Sequence, residues 1–123
     1  MSRRILLVED DSAIREALVE VLGEMGYEVM SAPDGLKGLS LAVEQAEPCP
    51  ILLDWRMPVL DGLEFLSRLR RLPRGAEFPV ILASGDQAAT RAEVGDGVAA
   101  VLPKPFDLAA LVAALDRIGP GSP

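Results

Sequence analysis

Short apolar runs of strand length alternate with segments of helical periodicity five times along this 123-residue chain. The clearest helical segment has apolar residues at positions i, i+3, i+4, i+7, i+8 and i+11, which is the one-sided stripe of an amphipathic helix. Those residues are Ile14, Ala17, Leu18, Val21, Leu22 and Met25. Strands that alternate with helices favour a single parallel sheet with helices on both faces. The sequence therefore predicts an α/β fold with five strands and five helices.

The element limits follow from the apolar runs and from the residues that start and stop helices. The predicted strands span residues 5–8, 27–31, 51–53, 80–83 and 98–102. The first predicted helix is capped by Ser12 and stopped by Gly26, and the second runs from about Asp34 to Ala46. The third follows the turn and cap Asp61-Gly62 and has the apolar stripe Phe65, Leu66, Leu69 and Leu72, and the fourth spans 86–97. The fifth is capped by Asp107 and has the apolar stripe Leu108, Leu111, Val112, Leu115 and Ile118. The segment 86–97 has few apolar residues, so its helix is expected to be the least stable.

The length suits one folded domain, which we place at residues 1–118, with a flexible tail at 119–123. No apolar stretch reaches the roughly 20 residues that a bilayer-spanning helix needs. The start of the chain has no signal-peptide core, and the single Cys49 cannot form an internal disulfide. We therefore expect a cytoplasmic protein that does not associate with membranes.

The charge of the chain excludes several classes of function. A formal net charge of −7 disfavours direct binding of nucleic acid, because phosphate backbones are bound by clustered lysine and arginine. The chain has no histidine, which excludes histidine-based catalytic triads, histidine metal ligands and a phosphohistidine of its own. The chemistry must therefore come from carboxylates, hydroxyls and a few cations.

Reactive side chains stand directly after four of the five predicted strands. Glu9 and Asp10 follow the first strand, Asp54 follows the third, and Ser84 follows the fourth. Lys104, one of two lysines in the chain, follows the last strand between two prolines. In parallel α/β sheets ligands bind beyond the carboxyl ends of the strands. We expect these side chains to meet at that edge and to form the functional site.

The residue types at this edge indicate phosphoryl chemistry with a divalent metal. Glu9, Asp10 and Asp54 at close range would repel one another unless a cation lies between them. Oxygen ligands without histidine or thiolate favour Mg²⁺, and Mn²⁺ could substitute. A carboxylate beside Mg²⁺ can act as a nucleophile, and an ammonium and a hydroxyl can neutralise the phosphoryl oxygens.

Four motifs make the chain resemble the receiver domains of two-component response regulators. They are ILLVEDD with Glu9 and Asp10, LLDWRMPVLDG around Asp54, LASG with Ser84, and LPKPF with Lys104. The resemblance extends from residue 5 to about residue 118. It implies a flavodoxin-like, doubly wound sheet with strand order 2-1-3-4-5, and a protein that catalyses only its own phosphorylation and dephosphorylation.

The same resemblance implies a role for each site residue. Asp54 would accept a phosphoryl group from a histidine kinase or a histidine phosphotransfer protein. Asp10 and Asp54 would bind Mg²⁺ directly together with the backbone carbonyl of Arg56, whereas Glu9 would reach the ion through water. Ser84 and Lys104 would contact the phosphoryl group. The peptide bond from Lys104 to Pro105 would be cis.

Other interpretations remain open at this point. A pseudo-receiver would keep the fold and bind partners without phosphorylation. A phosphatase related to haloacid dehalogenases would also use an aspartate nucleophile, but it requires a second aspartate at position 56, where this chain has arginine. Asp11 and Asp61 are interpreted as helix-end residues rather than ligands. The downstream effector, and whether the domain acts alone or as part of a larger protein, are not determined by these residues.

One position departs from the resemblance. Many receivers place tyrosine or phenylalanine three residues before the lysine, and this chain has Val101 there. We hypothesise that its output does not depend on an aromatic switch and instead uses rearrangement of the segment 86–97.

Overall fold

The computed structural model describes residues 3–55, 60–84, 98–104 and 107–118. All strand pairings are parallel, in the order β2-β1-β3-β4-β5. The strands are β1 (Arg3–Val8), β2 (Tyr27–Ala32), β3 (Ile51–Asp54), β4 (Val80–Ser84) and β5 (Val98–Pro103). The predicted topology is confirmed, and each strand contains the predicted run extended by one or two residues.

The described residues form four α-helices and one short 3₁₀ turn at Gly75–Glu77. The helices are α1 (Ser12–Glu24), α2 (Gly35–Val43), α3 (Gly62–Arg70) and α4 (Leu108–Ile118). Four of the five predicted helices are therefore present, although α2 ends three residues before the predicted limit. The remaining one, predicted at 86–97, lies outside the described residues, as does the predicted tail at 119–123. Among the described helices, none is long and apolar enough to cross a membrane.

Aspartates cap the helices at the edge where the strands end. The prediction that Ser12 caps α1 is wrong, because Asp11 occupies the cap position and its carboxylate accepts the N–H of Ile14 at 3.1 Å. A carboxylate there also interacts favourably with the positive end of the helix dipole. Gly26 follows α1 with a φ of 97°, which confirms it as the stop residue. The next three helices are capped by Asp34, Asp61 and Asp107.

Two hydrophobic clusters pack on opposite faces of the sheet. On one face α3 buries the predicted residues Phe65, Leu66 and Leu69 completely. On the other face the deepest helical side chains are Leu22 of α1 and Leu111, Ala114 and Leu115 of α4. The predicted core positions Ile14 and Leu108 are wrong, because they lie in the first helical turn and are 41% and 50% exposed. The buried sheet is thus a rigid base for the residues at its carboxyl edge.

Candidate functional site

The register of the sheet brings the reactive residues to one edge. Val8 of β1 pairs with Leu53 of β3, so that the next residues, Glu9 and Asp54, stand side by side. Asp54 pairs with Ala83 of β4. Because β5 is paired with β4 up to its last residue, Pro103, Lys104 begins at the same edge. The predicted convergence of the strand ends is confirmed for these positions.

Three carboxylates lie together at this edge. Glu9, Asp10 and Asp54 each offer one oxygen, and these oxygens lie within 4.8 Å of one another. Glu9 is 3% exposed and Asp54 is 7% exposed, whereas Asp10 is exposed. Among the described residues Glu9 and Asp54 are the charged groups that are buried. Buried like charges at this distance create a strong demand for a cation.

Lys104 supplies a positive charge between the two buried carboxylates. Its Nζ donates to Oδ1 of Asp54 at 3.1 Å and to Oε1 of Glu9 at 3.3 Å. The lysine side chain is about one quarter exposed, so its ammonium lies at the boundary between the sheet and solvent. In the described part of the chain, a single cation therefore bridges two of the three carboxylates, and these four side chains together carry a net negative charge.

The pKa values of these groups reflect burial and mutual charge. Burial raises the pKa of Asp54 above its ordinary value, and Asp10 adds to the rise while Lys104 opposes it. Burial also raises the pKa of Glu9, and the nearby Asp54 charge adds to this effect. Burial alone would lower the pKa of Lys104, but its hydrogen bonds and ion pairs to Asp54 and Glu9 outweigh that effect and raise it. The carboxylates thus retain electrostatic strain that a divalent cation would relieve.

Glu9 is the most firmly held of the three carboxylates. Its Oε2 accepts the backbone N–H of Asp11 at 3.1 Å, while its Oε1 accepts from Lys104. Its own backbone N–H donates to the carbonyl of Ala32 in β2 at 3.0 Å. Both carboxylate oxygens are therefore already bonded within the protein. The interpretation of Asp11 as a helix-end residue is confirmed, since its carboxylate caps α1.

Three predicted contacts fall partly or wholly outside the described residues. The backbone of Ser84 ends β4 opposite Pro103, but the placement of its hydroxyl is outside the described part of the chain. Arg56, whose carbonyl is a predicted ligand, is also outside it, and so is Pro105, the second residue of the predicted cis bond. These assignments remain predictions.

Two further residues shape the site: Gly62, which the sequence indicated only as part of a turn, and Arg15, which it did not indicate. Gly62, at the start of α3, donates its N–H to the carbonyl of Trp55 at 2.9 Å, and a Cβ at position 62 would lie 2.6 Å from Cε3 of Trp55. Glycine at position 62 thus allows α3 to begin directly against the residue that follows Asp54. Arg15 of α1 donates to the carbonyl of Glu9. The sequence signal for this contact is the position of Arg15 in the first helical turn after the acidic run.

The donor set fits a hard divalent cation. It consists of carboxylate oxygens from Glu9, Asp10 and Asp54, without a thiolate or imidazole among them. Mg²⁺ is commonly bound by one or two carboxylates and retains several waters. The exposure of Asp10 leaves one side of the cluster open to solvent and to a phosphate oxygen. The geometry therefore supports a metal and phosphoryl site.

Comparison with known proteins agrees with this architecture. The sequence model of the response regulator receiver domain matches residues 5–116. The chain belongs to this family. The DNA-binding dual master transcriptional regulator RpaA of Synechocystis sp. is 39% identical over 112 residues, which cover 89% of this chain and 46% of RpaA. The chain spans about half the length of the curated relatives that it matches.

Solved receiver structures superpose closely on the chain. The chemotaxis protein CheY4 of Vibrio cholerae has a TM-score of 0.86 and 28% identity, covering 96% of this chain and 99% of CheY4. The receiver domain of the sensor histidine kinase PA1611 of Pseudomonas aeruginosa has a TM-score of 0.81 and 31% identity, covering 95% and 97% of the two chains. That structure has a magnesium ion coordinated in its active site cleft. The fold and the functional class of this chain are those of a two-component receiver domain.

Proposed function

We propose that Asp54 is the phosphoryl acceptor of this receiver domain. The observation that supports this most directly is the surroundings of its carboxylate: it is buried, it is held at 3.1 Å by Lys104, and it lies within a cluster of three carboxylates. Asp54 is also the last residue of the central strand β3, so that packing on both faces of the sheet fixes its position. A nucleophile held this way needs little reorganisation before reaction.

The proposed step transfers one phosphoryl group between two proteins. The P–N bond of a phosphohistidine breaks, the imidazole nitrogen keeps the electron pair, and a carboxylate oxygen of Asp54 forms the new P–O bond. Lys104 stabilises the negative charge of the phosphoryl oxygens through its ammonium, and we assign a hydrogen bond from Ser84 to the same group. The product is an aspartyl phosphate, and hydrolysis returns the free carboxylate.

We further propose that the cluster binds Mg²⁺, with Mn²⁺ as a possible replacement. Asp10 and Asp54 would hold the ion directly with the carbonyl of Arg56, and Glu9 would hold it through water. The arrangement of Glu9 supports this assignment, since both of its oxygens are bonded within the protein. When bound, the ion supplies positive charge that neutralises the reacting oxygens. The magnesium-bound receiver domain of PA1611 supports the same choice of metal.

The partners follow from the chemistry of the site. We propose a sensor histidine kinase or a histidine phosphotransfer protein as the donor, acting in the cytoplasm, and a downstream protein that binds differently to the phosphorylated form. The domain would transform no substrate other than its own phosphoryl group. With a net charge of −7 it is not expected to bind nucleic acid itself. Any such activity would belong to another domain or partner.

Phosphorylation by a small donor tests the proposal directly. The wild-type chain is incubated with acetyl phosphate and Mg²⁺, and the intact mass is measured. We expect a mass gain of one phosphoryl group. No gain is expected when Mg²⁺ is chelated before acetyl phosphate is added. Asp54→Asn serves as the matched control and should show no such gain. A wild-type chain that binds Mg²⁺ but gains no mass would instead support the pseudo-receiver alternative.

A further inference from the structure

Arg15 of α1 contacts the backbone of the acidic loop rather than its carboxylates. Its Nη1 donates to the carbonyl of Glu9 at 2.9 Å and approaches the carbonyl of Asp10 at 3.4 Å. These are the two residues that provide two of the three clustered carboxylates. The guanidinium therefore spans the peptide unit from which the metal ligands project.

The geometry of α1 explains how the side chain reaches the loop. Arg15 is in the first turn of the helix, and long helical side chains point back toward the helix N-terminus. Asp11 fixes this turn, because its carboxylate caps the helix and its carbonyl accepts the N–H of Arg15 at 2.9 Å. The loop from Glu9 to Asp11 is thus closed by a capping carboxylate on one side and by a guanidinium on the other.

The loop needs such restraint because its side chains repel one another. Glu9 and Asp10 lie next to Asp54, and one lysine ammonium contacts only two of these three carboxylates. A flexible loop would rotate Asp10, which is exposed, away from the buried pair. A hydrogen bond to the carbonyls restrains the peptide orientation without occupying a ligand oxygen. In metal sites such supporting bonds orient the ligands and contribute to affinity.

We propose that Arg15 is a positioning residue that holds Glu9 and Asp10 in the orientation required to bind the divalent cation. It acts through two backbone carbonyls and does not touch the metal or the phosphoryl group. The proposal rests on the metal-binding part of the proposed function and adds a residue to it. It also predicts that loss of Arg15 weakens Mg²⁺ binding, whereas simple electrostatics predicts the opposite.

The competing explanation is that Arg15 is merely a nearby positive charge. In that case its removal makes the site more negative and tightens Mg²⁺ binding. If Arg15 positions the loop, its removal weakens binding in spite of the lost positive charge. The direction of the change in the dissociation constant therefore separates the two explanations.

The experiment measures Mg²⁺ binding to the full chain by calorimetry and by the fluorescence of Trp55, the single tryptophan, which directly follows Asp54. Arg15→Met removes the charge and the donors but keeps an apolar stem. We expect its Mg²⁺ dissociation constant to rise about tenfold, at the lower end of the range for residues that support metal ligands. An unchanged or lower dissociation constant overturns the proposal.

Control variants separate positioning from charge and from stability. Arg68→Met removes the same charge from α3, where Arg68 pairs with exposed Glu64, and should leave Mg²⁺ affinity within about twofold of wild type. An equal loss in both variants overturns the proposal. Arg15→Lys keeps the charge and a donor, so its affinity should lie closer to wild type than that of Arg15→Met, and the reverse order overturns the hydrogen-bonding account.

Two further readouts complete the test. The metal-free thermal midpoint of Arg15→Met should stay within about 3 °C of wild type, because the affected bond lies at the edge of the domain. Should the variant not fold, Arg15→Gln replaces it under the same criteria. Saturating Mg²⁺ should restore phosphorylation of Arg15→Met by acetyl phosphate, and a rate still tenfold low contradicts positioning through the metal. Wild-type protein that binds no Mg²⁺ would overturn the metal-binding function as well as this inference.

Discussion

The two ends of the parallel sheet differ in the burial and the pairing of their charged side chains. At the amino end, Arg4 pairs with Glu28 at 2.8 Å, and both side chains are about half exposed. At the carboxyl end, Glu9 and Asp54 are buried, share one lysine and have raised pKa values. Water screens the first pair, so it has little effect on stability or chemistry. Among the described residues, one lysine faces three carboxylates in the second cluster, and this excess of negative charge favours the binding of a divalent cation.

The largest expected effect comes from removing the lysine of the carboxyl end. Lys104→Met should lower the rate of phosphorylation of Asp54 by about 100-fold at saturating Mg²⁺, because one group that stabilises developing charge is lost. The rate is measured from the increase of phosphorylated mass with acetyl phosphate. Lys37→Met, at the start of α2, is the matched control and should react at the wild-type rate. A Lys104→Met rate within threefold of wild type would contradict the assigned role.

The second prediction concerns stability without metal. A raised pKa means that the charged form of Asp54 is disfavoured in the folded state, so Asp54→Asn should increase the free energy of unfolding at neutral pH. Urea unfolding in a chelator measures it. At the amino end, Glu28→Gln should change stability by less than about 1 kcal/mol and only downward. A clear loss of stability in Asp54→Asn would mean that the carboxylate is not strained.

The third prediction concerns pH. The raised pKa values of Glu9 and Asp54 mean that the folded chain binds protons there more tightly than the unfolded chain does. The contribution of these groups to the free energy of unfolding therefore increases as the pH falls through their folded pKa values. Protons then compete with Mg²⁺ for the same oxygens. The rise in thermal midpoint on adding Mg²⁺ should therefore be smaller at about pH 5 than at about pH 8. An increase of equal size at both pH values would show that these carboxyls do not bind the ion.

The smallest expected effect belongs to the amino end. Arg4→Ala removes the exposed ion pair with Glu28 and a hydrogen bond to Gln45. Stability should fall by less than about 1 kcal/mol, and Mg²⁺ affinity should not change. Chemical unfolding and a Mg²⁺ titration measure the two quantities. A change in affinity greater than threefold would show that the two ends of the sheet are coupled.

The sequence was sufficient for the sheet and for the residues at its edge, because both depend on short-range patterns. Apolar runs located all five strands, and the residue after each of β1 and β5 could be placed without knowledge of side-chain contacts. The sequence-based predictions failed where tertiary contacts decide which residues are buried and which residue caps a helix. Ile14 and Leu108 follow the helical period but are exposed in the first turns of their helices, and Asp11 rather than Ser12 caps α1.

The interactions that hold the site together could not be predicted from the same patterns. The hydrogen bond from Arg15 to the Glu9 carbonyl depends on a side-chain conformation, and the contact between Gly62 and Trp55 depends on how closely α3 approaches β3. The hydroxyl of Ser84, the carbonyl of Arg56 and the predicted helix at 86–97 remain predictions. The same holds for the hypothesis that the output does not depend on an aromatic switch at position 101, where Val101 is partly buried against the core.

The most direct test of the central claim is to map the modified residue. The chain is phosphorylated with acetyl phosphate and Mg²⁺, treated with borohydride, which reduces an aspartyl phosphate to homoserine, and digested for peptide mass analysis. We predict homoserine at position 54 and unmodified aspartate at Asp10, Asp11 and Asp61. Homoserine at one of those positions instead, or none in the chain, would contradict the assignment of Asp54 as the phosphoryl acceptor.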